Sequence, residues 1–269
     1  MESTPKGKRT GLRWEWLACL PAGILLVIWL WFTPPGILGK ADAIAYAVCH
    51  RIDARSFHFD GTQFPLCARC TGMYLGAVLG LIYQRLQGRR GGMPSIKVFI
   101  ILGVLVAAFG IDGVNSYLHF FPKAPYLYQT TNWSRLLTGT GMGLALSAVV
   151  LPAFHQTMWL NWNESRALGS WRQLGGLLLL AGVMDALILT QSPVVLYPAA
   201  LIGPMGILVI LTMVYGMVVV MLFKRENHYT SSRQLWLPLI TGFTIALLQI
   251  GLMDWGRFLL THTWAGFNL

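Results

Sequence analysis

The sequence predicts an all-α, polytopic membrane protein of about seven spans. Three observations carry that prediction. Of the 269 residues, 55% are hydrophobic and only 11% are charged, less than half the roughly 25% charged content of a soluble globule. Mean hydropathy is positive. Apolar runs of the length a bilayer crossing needs, about 20 residues, recur along the chain between short polar connections. No polar stretch is long enough to fold by itself, so the chain reads as one integral membrane domain, 1–269.

The elements follow in order. The first run, 14–33, comes after Lys6, Lys8, Arg9 and Arg13, as a secretion signal would. It has no small-x-small cleavage site and ends in Pro34-Pro35-Gly36, so it reads as a retained span. The longest polar connection, 34–65, follows, and its stretch 37–50 suits an interfacial helix. The second span, 66–86, carries Gly72, Gly76 and Gly80, a ladder that lets two helices approach closely. Cys67, Cys70, Thr71 and Tyr74 share one of its faces. The third span, 96–121, lines up Asp112, Asn115, Ser116 and His119. The fourth, 133–159, continues a stripe of Asn132, Arg135, Gly139 and Gly143. The fifth, 173–191, is the shortest and holds Asp185 alone. The sixth is 195–223. The seventh, 235–260, presents Asp254 and Arg257, with Thr261 following on the same face.

The net charge is +10, yet the basic residues sit at the ends of apolar runs. That is a topology signal, not a nucleic-acid footprint. Thirteen of the 20 Lys and Arg residues fall on one side of the predicted spans. The excess marks that side as cytoplasmic in a plasma membrane, with the N-terminus inside and the C-terminus outside. The other basic residues are Lys40, Arg51, Arg55, Arg69, Lys123, Arg135 and Arg257. A charge near a span centre costs on the order of 2.5–3.5 kcal/mol, so polar stripes at such depth face protein or water. Three stripes at similar depth suggest one shared outward-facing cavity. Asp112–Arg135 and Asp254–Arg257 read equally well as neutralised pairs that fix helix packing.

Cys49-His50 is followed, 16 residues later, by Cys67-Ala68-Arg69-Cys70. Thiolate and imidazole are zinc ligands, and C-x-x-C offers two from one turn. Cys49, Cys67 and Cys70 with His50 make a tetrahedral set. His58 is the alternative fourth ligand, because adjacent Cys and His residues both ligate only across a suitable bend. A redox reading stands beside it, since thiols at an outer membrane face tend to pair. In four residues and topology, the C-x-x-C resembles quinone-linked disulfide oxidases and vitamin K epoxide reductases. Those families use a second cysteine pair, and here only Cys49 is near. Cys19 lies within the first span and reads as a small buried apolar residue.

Cys49-His50-Arg51, Arg55-Ser56-Phe57 and Pro65 to Gly72 with Tyr74 and Gly76 resemble a known family. So do Ile111-Asp112-Gly113 and Asn132-x-x-Arg135-x-x-Thr138-Gly139. It is a group of prokaryotic multi-pass membrane proteins labelled only as a domain of unknown function. The resemblance covers about residues 45–145 and leaves 160–269 as additional spans. It implies that Cys49, His50, Arg51, Arg55, Cys67, Arg69, Cys70, Asp112, Asn132 and Arg135 form one site, and it implies no activity. Val114-Asn115-Ser116 departs from the polar Thr-Gln that tends to follow the Asp-Gly.

The sequence therefore points to a zinc site at the outer face. Below it lies a cavity lined by Arg51, Arg55, Arg69, Asp112, Asn115, Asn132 and Arg135. Arginine suits bidentate recognition of phosphate or carboxylate, so the expected ligand is an anionic, lipid-like molecule that the protein binds or processes. Membrane lipid is the expected partner, and other membrane-protein subunits are a further class. A quinone-linked thiol–disulfide oxidoreductase and a structural subunit of a membrane complex are the competing functions.

Overall fold

A computed structural model describes residues 16–121 and 125–267. Lys6, Lys8, Arg9, Arg13 and Lys123, all used in the charge count, lie outside the described residues. Among those described, eight α-helices build the bundle: α1 (Cys19–Phe32), α2 (Gly36–Val48), α3 (Ala68–Arg85), α4 (Ile96–Leu118), α5 (Asn132–Met158), α6 (Trp171–Leu189), α7 (Pro193–Leu222) and α8 (Trp236–Thr261). The fold is all-α and polytopic, as expected. Five segments are long and apolar enough to cross a membrane: α4, α5, α6, α7 and Ser232–Thr261. A sixth arises if α1 and α2, bent by 106° at Thr33–Pro35, count as one broken span.

The first two expected spans differ from the rest. α1 has 14 residues and, at about 1.5 Å per residue, is shorter than the roughly 30 Å of a hydrocarbon core. Lys40 holds its C-terminal end. The Lys40 ammonium donates to the Leu30 carbonyl, to the Thr33 carbonyl at 3.0 Å and to Thr33 Oγ1 at 2.8 Å. It satisfies acceptors that a helix end leaves without partners. α2, the expected interfacial helix, packs on the bundle, with Ala43, Ala45 and Tyr46 fully buried against α7 and α8.

α3 is too polar to pass as a span by composition. It is buried instead against α5, the most extensive helix pair in the protein. The ladder acts here as packing. A Cβ at Gly72 would fall on the Leu136 carbonyl oxygen, and one at Gly76 would come within 2.8 Å of the Thr140 carbonyl. α5 answers with Gly139 and Gly143, whose added Cβ atoms would fall on the Arg69 and Met73 carbonyls. The two backbones touch along about two helical turns.

Two short sheets depart from the all-helical expectation. β1 (Ser56–Phe59) and β2 (Thr62–Cys67) form an antiparallel hairpin, and β3 (Arg90–Gly92) pairs parallel with β4 (Asn163–Arg166). Asp60 and Gly61 join the first pair with φ of 49° and 73°, the left-handed two-residue turn that Asp-Gly favours. Phe57, Phe59, Phe64 and Leu66 are buried, which anchors the hairpin to the bundle. Its register sets Ser56 opposite Cys67 and so returns the chain to Cys49.

Candidate thiol and arginine site

Three local structures deliver the cysteines. Cys49 ends α2, its N–H bonded to the Ala45 carbonyl at 2.8 Å. Cys67 ends β2 and caps α3 at its N-terminus. Cys70 follows in the first turn of α3. The ligand atoms of all three lie within 4.8 Å of one another, with Cys49 and Cys67 buried and Cys70 half-buried. The Cys67 N–H donates to Cys49 Sγ at 3.3 Å.

The proton inventory is uneven. Hydrogen bonds from the Cys49 and Cys70 thiols, and then from His50, hold the Cys67 thiol well below its ordinary range. The Cys49 thiol, which supplies one of those hydrogen bonds, is pushed up to about 12. Negative charge is thus favoured at Cys67, which stands at the helix end where the backbone also favours it. A tetrahedral zinc with bonds of about 2.3 Å needs sulfurs about 3.8 Å apart. Sulfurs already within 4.8 Å would need to close by no more than about 1 Å.

The two histidines separate. His58 points outward from β1 and bonds Asp53 at 2.8 Å, more than two-fifths exposed. His50 stays beside Cys67, but its Nδ1 accepts the Ile52 N–H at 3.1 Å. With Nδ1 engaged as acceptor, Nε2 carries the proton in the neutral ring. In this arrangement His50 is a donor to Cys67. The turn that makes this possible has Arg51 at φ 51°.

The arginines fall into two groups. Arg55, Arg69 and Arg135 lie within electrostatic reach of each other and of Cys67. Asp112, fully buried, bonds Arg69 through both Nε and Nη2 and also accepts from the Tyr128 hydroxyl at 2.8 Å. Arg135 bonds Asn132 Oδ1 at 3.0 Å, Thr130 Oγ1 at 2.6 Å and Ser116 Oγ at 3.4 Å. Arg55 reaches the Ser116 carbonyl at 3.1 Å and stacks on Phe120 at 4.1 Å. Burial, followed by repulsion from Arg69, lowers its pKa. Arg69 bonds the Asp112 carboxylate, and Cys67 acts electrostatically on Arg55 and Arg135.

These contacts correct the expected pairing. Asp112 pairs with Arg69, and Arg135 is left to neutral oxygens. On an ideal helix Arg69 points away from the Cys67/Cys70 face, and that direction is what carries it to α4. Arg51 does not join the group. It pairs with Asp42 at 2.8 Å and bonds the Trp264 carbonyl at 3.2 Å. Asn115 holds the connection after α4, donating to the Tyr128 carbonyl at 2.7 Å and accepting from the Leu127 N–H at 2.7 Å. Asn132 reaches back to the Ser56 carbonyl at 3.3 Å. Between these stripes the side chains hydrogen-bond one another rather than standing apart.

Asp254 and Arg257 are also apart in function. Asp254 accepts from Trp29 Nε1 at 3.0 Å. Arg257 donates to the Tyr46 and Cys49 carbonyls, each at 2.6 Å, and to the His50 carbonyl at 3.3 Å. The Phe267 N–H also binds the His50 carbonyl, at 3.0 Å. The last helix and the tail therefore clamp the Cys49-His50 turn. Only the polar stripe on the seventh run hinted at this contact. The Tyr128 hydroxyl had no sequence signal at all.

The Arg69–Asp112 pair makes a prediction. Arg69→Gln or Asp112→Asn alone leaves a buried partner uncompensated, a loss of about 3–5 kcal/mol, whereas the double change lies much nearer wild type. A double-mutant cycle on unfolding of the solubilised protein measures this. Additive losses would mean that the two charges do not act as a pair.

The profile of a family described as "Predicted membrane protein (DUF2085)" matches residues 49–149. An "Uncharacterized protein" of Methanothermobacter thermautotrophicus is 34% identical over 106 residues, 39% of this chain and 86% of the relative. "Uncharacterized protein MJ1492" of Methanocaldococcus jannaschii is 26% identical over 118 residues, 44% of this chain and 70% of that protein. No solved structure matches the chain. The matched span begins at Cys49 and ends within α5, so it takes in the thiols and the Arg55, Arg69 and Arg135 group. Arg257 lies beyond it.

Proposed function

The chain belongs to the predicted membrane proteins of the DUF2085 family, and from that premise we propose that residues 49–149 form a thiolate zinc centre coupled to an anion site. Cys49, Cys67 and Cys70 are the protein ligands. A fourth position is open to solvent, to ligand, or to His50 after its ring reorients. The anion site consists of Arg55, Arg69 and Arg135, and its ligand is the phosphate or carboxylate head of a lipid-like molecule. The single observation that carries this reading is the convergence of three sulfurs within 4.8 Å of one another beside three arginines with too few anions to balance them. Cys67 joins the two halves, since its charge acts on Arg55 and Arg135. Metal binding would withdraw that charge from the arginines and leave them freer for an anion.

Native mass spectrometry in mixed micelles tests the anion half. Phosphatidic acid should be retained over phosphatidylcholine, and Arg135→Gln should weaken that retention about tenfold, as loss of a charged hydrogen bond implies. Equal retention of both lipids would remove the anion site. The outer-face placement rests on the basic-residue count. Reporter fusions after residue 269 and within 160–170 should read outside and inside respectively, and the reverse at both would invert the site. A disulfide among Cys49, Cys67 and Cys70 in metal-free purified protein would favour the thiol oxidoreductase instead.

A further inference from the structure

A cavity of about 580 Å³ lies between α1 and α8, away from the arginine group. This is within the few-hundred to about 1,000 Å³ range of small-molecule sites. Its wall is apolar and aromatic, including Phe32, Trp255, Phe258 and Trp264, with Trp29, Asp254 and Thr33 as its main polar features and the Thr33 hydroxyl donating to the Trp29 carbonyl. Asp254 is 3% exposed. Its Oδ2 accepts from Trp29 Nε1 at 3.0 Å, while its Oδ1 is buried with no hydrogen-bond partner among the described residues. Arg257, one turn on, is turned away to the Tyr46 and Cys49 carbonyls. A buried acceptor without a partner is costly, and Asp254 is among the residues that line this apolar space between α1 and α8.

We propose that this cavity binds a membrane-soluble molecule with a hydroxyl group on a long apolar body, and that Asp254 Oδ1 accepts the hydroxyl proton in a hydrogen bond. The aromatic wall takes the apolar body. Trp29 fixes the carboxylate by occupying its other oxygen, so one acceptor remains for one donor. A headgroup with several charges does not suit a wall this apolar, which distinguishes the site from the arginine group. An aliphatic isoprenoid alcohol and a quinol both have the required chemistry.

The test uses full-length protein in nanodiscs, with tryptophan fluorescence as the readout and two matched pairs of probes. Farnesol is compared with its methyl ether, and decylubiquinol with decylubiquinone. In each pair the apolar body is nearly constant and the hydroxyl donor is removed. The hydroxyl member of at least one pair should bind at least about tenfold tighter, the low end for a hydrogen bond to a charged group. The pair that shows the preference identifies the source. Asp254→Asn keeps an acceptor for Trp29 and presents an amide donor instead, so the preference should vanish or invert. Equal binding within both pairs, tighter binding of the ether and the quinone, or a preference unchanged in Asp254→Asn overturns the proposal. The wild-type comparison stands even if the variant does not fold.

Discussion

Protein purified without chelator should carry about one zinc ion per chain, and Cys67→Ser should carry almost none. Cys67 has the greatest leverage of the three proposed ligands. Its thiol is held well below the ordinary range, it stands at the N-cap position of α3, and its N–H bonds Cys49 Sγ. Structural zinc in small peptides is worth apparently about 10–16 kcal/mol at neutral pH, so loss of the ion should loosen the whole 49–67 connection. Limited proteolysis there should accelerate at least tenfold with chelator or with Cys67→Ser. Ligand thiols must be deprotonated to bind, so retention should weaken as pH falls. Elemental analysis with a thiol count decides the matter. Less than a tenth of an equivalent of metal with three free thiols would remove the metal centre, and His58→Ala should change nothing.

The second large effect concerns the α3–α5 seam. Gly139→Ala adds one methyl where the Arg69 carbonyl already sits, and Gly143→Ala does so at Met73. Backbone cannot rotate aside as a side chain can, so the helices must separate along their length. Overpacking typically costs 1–3 kcal/mol and occasionally more. The upper end, about 3 kcal/mol, is expected because the atoms that the new methyl meets are backbone. Gly103→Ala and Gly110→Ala on α4 are the controls. Nothing lies within 4 Å of a Cβ at either, and alanine favours helix over glycine by about 0.8–1 kcal/mol. Thermal unfolding in detergent should therefore move in opposite directions for the two sets. Similar behaviour of seam and control glycines would mean that the close approach does not limit stability.

Much of this architecture was legible because lipid leaves the backbone few choices. Apolar length alone located the helices, and four-residue glycine spacing marked the seam. The C-H-x16-C-x-x-C spacing brought forward the three thiols that converge. What could not be read was lateral. Linear order does not say which arginine reaches Asp112, since Arg69 bonds it from α3 while Arg135 lies within its electrostatic reach from α5. The hairpin carried a readable Asp60-Gly61 signal, but β2 runs directly into α3, so its end passed for the start of a helix. Arg257 binds carbonyls more than two hundred residues away, and no local pattern encodes a backbone acceptor. His50 shows the same limit more finely, because its tautomer depends on the Ile52 N–H and not on its neighbour Cys49.

The polarity of α3 bears on how the protein is made. A helix with Arg69, Thr71, Gln84 and three seam glycines has little tendency to leave an insertion channel for lipid by itself. Its counterpart, α5, is not synthesised until α4 and the connection after it have emerged. During that interval α3 must be sheltered by the channel, by a chaperone or by the head of the nascent chain. Release then waits for Gly139 and Gly143 to dock. A defect in the seam would therefore appear first as a low yield of inserted protein and rapid turnover in the cell, before any damage to the thiol site could be measured.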